Sequence, residues 1–190
     1  MNIPNILTVL RVLLIPIIIL LFYLPFQWSY LAASAVFAIA AITDWLDGYL
    51  ARKLQQSTPF GAFLDPVADK LMVAIVLVML VQAQSSWFED VIAMIIIGRE
   101  ITISALREWM ATIGERANVK VDITGKIKTT LQMFGIAFMV WKVPLFGIPV
   151  YTIGFVLLVL AAVMTIWSMF AYLKAAWPFI MADQEGGGQG

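Results

Sequence analysis

Asp44-Trp-Leu-Asp47-Gly48-Tyr-Leu-Ala51-Arg52, followed eight residues later by Gly61-Ala-Phe-Leu-Asp65-Pro-Val-Ala-Asp69, is the stretch that decides the fold. It sets four aspartates into otherwise apolar sequence. Upstream, no Asp, Glu, Lys or Arg occurs from Val12 to Thr43. Downstream, none occurs from Leu71 to Phe88 or from Val143 to Leu173. A helix needs about 20 apolar residues to cross the hydrocarbon core of a bilayer, and the first and last of these runs exceed that. The 190-residue chain is 62% hydrophobic and 13% charged, about half the charged share of a soluble domain.

Working outward, apolar runs set against breakers predict an all-α integral membrane protein, a bundle of six transmembrane helices behind a short N-terminal juxtamembrane segment. The expected spans are Thr8 to Leu24, Ser29 to Arg52, Phe60 to Val81, Trp87 to Thr112, Ile123 to Trp141 and Val150 to Leu173. Short connections make residues 1–182 a single membrane domain, with 183–190, rich in Gly, as a disordered tail. The start of the chain has neither the basic n-region nor the small-residue cleavage site of a secretory signal. Lys and Arg favour cytoplasmic connections. Arg52 and Lys53 mark the second connection, Arg116 and Lys120 the fourth, while the first and third have none. Both termini are therefore expected in the cytoplasm, with Trp28, Trp87 and Trp141 at the opposite interface.

Composition narrows the chemistry. With no Cys and no His, disulfides, thiolate sites, cysteine nucleophiles and imidazole bases are excluded, so metal or acid–base work falls to carboxylates. Twelve basic and twelve acidic residues cancel, and no nucleic-acid partner is expected. An ionised carboxylate at the bilayer centre costs at least about 2.5 kcal/mol. Four together rival the whole net stability of a small protein, about 5–15 kcal/mol, so something must compensate them. At helical periodicity Asp44, Asp47, Gly48 and Ala51 share one arc, and Gly61, Asp65 and Asp69 form a stripe on the next helix. If those helices are antiparallel neighbours, Asp47 and Asp65 each lie roughly 7–8 Å inside the same end of the bundle. The four carboxylates then surround one cavity, and they cannot all stay ionised without a cation. Hard oxygen donors select magnesium, manganese or calcium. One or two ions, magnesium or manganese foremost, suit phosphoryl transfer. Gly48, Ala51 and Gly61 leave room for a bulky ligand, though small residues on such a face also serve tight helix packing.

The same residues resemble the signature of the CDP-alcohol phosphotransferase family, D-x-x-D-G-x-x-A-R, a spacer, then G-x-x-x-D-x-x-x-D. All eight fixed identities are present across 26 positions. The resemblance implies a cytoplasm-facing site in a multi-pass bacterial-type inner-membrane protein. Asp44, Asp47 and Asp65 would be metal ligands, and Asp69 both a ligand and the catalytic base. Asp44, Gly48, Ala51, Arg52 and Gly61 would line the CDP site. Further segments resemble the branch of the family that joins CDP-diacylglycerol to glycerol 3-phosphate. These are Pro4-Asn5-Ile-Leu-Thr8-Val-Leu-Arg11, Gly98-Arg99-Glu100, Arg107-Glu108 and Gly125-Lys126-Ile-Lys128-Thr129-Thr130. A homodimer among membrane lipids is implied by the resemblance alone.

A phosphorylated acceptor needs fixed cations. Arg107, on the face of the fourth helix that carries Glu100 and Ser104, is a candidate with Lys126 and Lys128, although positive-inside anchoring also accounts for basic residues here, Lys128 among them. Asn5, Thr8 and Arg11, three residues apart on one face, either donate to phosphate oxygens or cap the first helix while Arg11 snorkels. Arg99 and Glu100 are adjacent and are not expected to pair with each other; pairing across helices and substrate contact remain open for both. Lys70 either pairs with Asp69 or snorkels. The alternatives to this activity are the same chemistry on inositol phosphate or phosphatidylglycerol, and a divalent-cation transporter. A transporter would spread its acidic residues across both leaflets, whereas here they cluster at one end.

Overall fold

The computed structural model describes residues 3–54, 59–84, 86–113 and 123–186. These form six helices: α1 (Ile3–Tyr23), α2 (Gln27–Leu54), α3 (Pro59–Ala83), α4 (Trp87–Thr112), α5 (Ile123–Trp141) and α6 (Val150–Gly186). No strand occurs among the described residues; a single bridge between Leu145 and Ile148 closes the tight α5–α6 turn, where Phe146 and Gly147 take left-handed φ of 50° and 82°.

Two boundaries differ from the sequence reading by more than two residues. α1 starts at Ile3 rather than Thr8, so the described residues contain no separate juxtamembrane segment. Pro4 does not prevent this, because a proline in the first turn removes an N–H that has no helical partner. α6 runs on to Gly186 instead of stopping at Leu173. The residues after Leu173 include good helix formers, and Pro178 interrupts the ladder without ending the helix. The α1–α2 turn is held by Ser29, whose hydroxyl donates to the carbonyls of Leu24 (3.0 Å) and Phe26 (2.6 Å).

Phe37, Met72, Leu77, Ile96, Ile136 and Met139 are fully buried and form the centre of the bundle. The outside is apolar as well: Leu20, Ile42, Met94, Ile101, Val163 and Trp167 are exposed. Among the described residues, two helices are long and apolar enough to cross a membrane by length and composition, Asn5–Tyr23 and Val150–Met181, with mean hydropathies of 2.7 and 2.4. Only 28% of either apolar window is buried, so neither is the enclosed core helix of a soluble protein.

α1 packs on α2 and α3, α5 on α2 and α6, and α4 on α3 and α6. Among the described residues α2 and α3 have little direct packing, although Asp44 on α2 and Asp65 on α3 lie close enough for their charges to interact. α1 is the helix that packs on both, and its polar residues explain why, as described below. α5 and α6 meet backbone to backbone where Gly135 faces Gly154. A Cβ on Gly154 would lie 2.8 Å from the Gly135 carbonyl oxygen and 2.8 Å from the Met139 nitrogen. At the end away from the aspartates, polar pairs tie the helices together: Tyr23 donates to Gln82 at 2.8 Å and Tyr151 to Glu89 at 2.6 Å.

Candidate functional site

Asn5, Thr8 and Arg11 lie about one turn apart on α1, and all three are buried, Thr8 and Arg11 completely. The Arg11 guanidinium is 2.6 Å from Asp44 Oδ1 on α2. The Thr8 hydroxyl donates to Asp65 on α3. α1 therefore carries the polar groups that satisfy one carboxylate from each flanking helix, which a low-dielectric interior requires. Complete burial excludes the snorkelling reading of Arg11.

Asp44, Asp65 and Asp69 lie close enough to interact through their charges: Asp65 acts on Asp44, and Asp44 acts on Asp69. Asp69 Oδ1 is buried and has no hydrogen-bond partner among the described residues. Gly61, two turns before Asp69 on the same stripe of α3, is buried. Asp47, Gly48, Ala51 and Arg52 belong to α2, but their side chains lie outside the described set. Among the described residues no three carboxylates close into a coordination shell. The donor set fits a hard divalent cation all the same: the charged donors are carboxylates, and one buried carboxylate oxygen is unsatisfied.

Asp69 also lines a cavity of about 40 Å³ between α3, α4 and α5, together with Lys70, Glu100, Thr129 and Gln132. Lys70 pairs neither with Asp69 nor with the surface; its ammonium donates to the Ser104 hydroxyl on α4. Arg99 and Glu100, expected not to pair because neighbouring side chains diverge on a helix, do pair at 2.7 Å. Both are drawn to the α4–α5–α6 interior, and the long arginine stem bends back to reach the carboxylate. Arg99 also donates to the Ser168 hydroxyl at 3.1 Å, and Lys128 to Glu100 at 3.5 Å. Lys128 is only 4% exposed, which rules out its role as a surface anchor. Arg107 and Lys126 are exposed and do not line the cavity. Arg107 donates to the Tyr172 hydroxyl at 2.9 Å, and the guanidiniums of Arg99 and Arg107 sit 5.9 and 5.3 Å from the Tyr172 ring centre, within cation–π range.

The sequence reading missed Tyr172, Ser168 and Gln132. Gln132 carried a signal, a buried amide in an apolar helix. Tyr172 carried none, since tyrosines near helix ends are common at membrane interfaces. The site thus has two adjoining parts. One is a carboxylate group able to bind a cation and take a proton; the other is a small polar cavity suited to a hydroxylated ligand, with arginine and lysine beyond it.

Residues 1–167 match the CDP-alcohol phosphatidyltransferase family. A protein of Pseudomonas fluorescens named CDP-diacylglycerol–glycerol-3-phosphate 3-phosphatidyltransferase is 58% identical across 96% of this chain and 94% of its own. Proteins of the same name from Escherichia coli (strain K12) and Shigella flexneri are 53% identical across 92% of this chain and 94% of theirs.

Proposed function

The chain belongs to the CDP-alcohol phosphatidyltransferase family, and from that premise we propose that it transfers the phosphatidyl group of CDP-diacylglycerol to glycerol 3-phosphate, giving phosphatidylglycerol phosphate and CMP. The observation that carries the reading is Asp69: one buried carboxylate oxygen without a hydrogen-bond partner among the described residues, at the wall of a polar cavity, beside Asp44.

In this mechanism an acceptor hydroxyl in the cavity gives its proton to Asp69 while its oxygen attacks the β-phosphorus. The bond from that phosphorus to the CMP oxygen breaks, and CMP leaves. A positioned base of this kind contributes about 10²–10⁴-fold. Arg11 and Thr8 hold Asp44 and Asp65 in place, so α1 orients carboxylates that it does not itself carry. Gly48, Ala51, Arg52 and Gly61 would border the cytidine diphosphate. Asp44, Asp47, Asp65 and Asp69 would hold one or two magnesium or manganese ions, which supply neutralisation of diphosphate charge. Lys128, Arg107 and Lys126 would draw the phosphate of the acceptor. A dianion in an apolar surrounding needs such fixed charge, and paired guanidinium and ammonium groups provide it without reorganising.

The proposal includes the setting. Six spans in a bacterial inner membrane, with both termini and the site facing the cytoplasm, agree with the apolar exterior and with basic residues at the α2–α3 and α4–α5 connections. A homodimer rests on the family alone. The test is CMP release by purified protein with CDP-diacylglycerol and each acceptor in turn, with and without magnesium. Release only with glycerol 3-phosphate and magnesium is expected. Turnover of inositol phosphate or phosphatidylglycerol with none of glycerol 3-phosphate would reject the acceptor assignment.

A further inference from the structure

We propose that Glu100 is a specificity residue that selects the acceptor through its second hydroxyl, the one on the carbon next to the reacting hydroxyl. This assignment takes glycerol 3-phosphate as the acceptor and goes one step further into the same site.

Glu100 lies in the wall of the cavity that Asp69 lines, and the two carboxylates interact. Both cations that hold Glu100, Arg99 at 2.7 Å and Lys128 at 3.5 Å, contact the same oxygen, Oε1. Oε2 has no hydrogen-bond partner among the described residues. With both cations on Oε1, the other oxygen is left to the ligand, and a carboxylate oxygen accepts hydrogen bonds. It therefore recognises an O–H and rejects a bare carbonyl or ether oxygen at that point.

Size and charge orient the acceptor. A cavity of about 40 Å³ holds roughly three water-sized groups at about 10–15 Å³ each. That accommodates a short hydroxylated carbon fragment. The wall sets two carboxylates, Asp69 and Glu100, against the one ammonium of Lys70, which donates to Ser104, so its net charge disfavours a phosphate dianion. The hydroxyl end of the acceptor enters, and its phosphate stays towards Arg107, seven residues from Glu100 on α4 and so about 10 Å along the axis. Asp69 then meets the reacting hydroxyl and Glu100 the neighbouring one. Gln132 and Thr129 supply further polar atoms to the wall but carry no charge. A hydrogen bond to a charged acceptor discriminates by about 10–100-fold.

The test compares glycerol 3-phosphate with 3-hydroxypropyl phosphate, which lacks only the middle hydroxyl, using the full chain with CDP-diacylglycerol and magnesium. For the wild type, kcat/KM should fall by about 10–100-fold on the deoxy acceptor. In Glu100→Gln and Glu100→Ala the ratio between the two acceptors should shrink towards unity. The ratio is taken within each variant, so a reduced folded fraction cancels. A merely structural Glu100 would lower both activities equally and leave the ratio at its wild-type value; that result, or a wild type indifferent to the middle hydroxyl, overturns the assignment alone. If wild type turns over no glycerol 3-phosphate, the parent reading fails and this one with it.

Discussion

Replacing Gly154 by alanine tests the close contact between α5 and α6, because two effects of opposite sign compete there. Alanine is the better helix former by about 0.8–1 kcal/mol. Against this, the added Cβ would sit 2.8 Å from the Gly135 oxygen, the Met139 nitrogen and the Phe138 Cβ. Two of those atoms are backbone and cannot rotate away. Ordinary contact begins near 3.4 Å, so α6 must retreat from α5 by about the difference, 0.6 Å. Overpacking costs about 1–3 kcal/mol, and backbone-on-backbone contact belongs in the upper half of that range. The net is a destabilisation of about 1–2 kcal/mol, or about 2–8 °C in Tm for a chain of this size. Gly98 on α4 is the internal control: nothing lies within 4 Å of its would-be Cβ, so Gly98→Ala should gain about 0.5–1 kcal/mol. Tryptophan fluorescence during thermal unfolding in detergent reads both. A Gly154→Ala protein as stable as wild type, or a Gly98→Ala protein that loses stability equally, would refute the packing account.

Four further outcomes follow from the site. Asp69→Asn keeps shape and removes the base; turnover should fall by about 10²–10⁴-fold with CDP-diacylglycerol binding retained, and full activity would reject its role. Asp44→Asn and Asp65→Asn should each raise the magnesium concentration needed for half-maximal CMP release. A chelator should abolish activity in wild type and added magnesium restore it; chelator-resistant turnover would remove the metal from the mechanism. Tyr172→Phe deletes the hydroxyl that receives Arg107 while keeping the ring. It should raise KM for glycerol 3-phosphate severalfold, in line with about 0.5–1.5 kcal/mol for one hydrogen bond, while the CDP-diacylglycerol KM stays put. Equal changes in both would point to a general packing role.

The charged side chains form two groups, Arg11 with Asp44, and Glu100 with both Arg99 and Lys128; the cations are buried and the carboxylates are partly exposed. Each group links the site to a different part of the bundle: the first joins α1 to α2, and the second joins α4 to α5. The site and the helix packing are therefore one network. Substitutions of Arg11 or Lys128 are expected to affect stability and acceptor handling together, whereas Asp69 should affect chemistry alone.

Helix positions and the four aspartates were legible in the chain, because both depend on local order: apolar runs of membrane length, and acidic residues three or four apart on a shared face. The starts of α4, α5 and α6 and the ends of α4 and α5 fall where breakers and polar clusters put them. Partnership was not legible in the same way. α1 standing against both α2 and α3, Thr8 bonding Asp65, Lys70 turning to Ser104, and Arg99 folding back on Glu100 each join residues by distances that spacing does not encode. Periodicity tells which face a side chain leaves from; only the packed bundle decides what stands opposite, because a long charged side chain in a low-dielectric interior goes to whichever counter-charge or hydroxyl the neighbouring helix brings within reach.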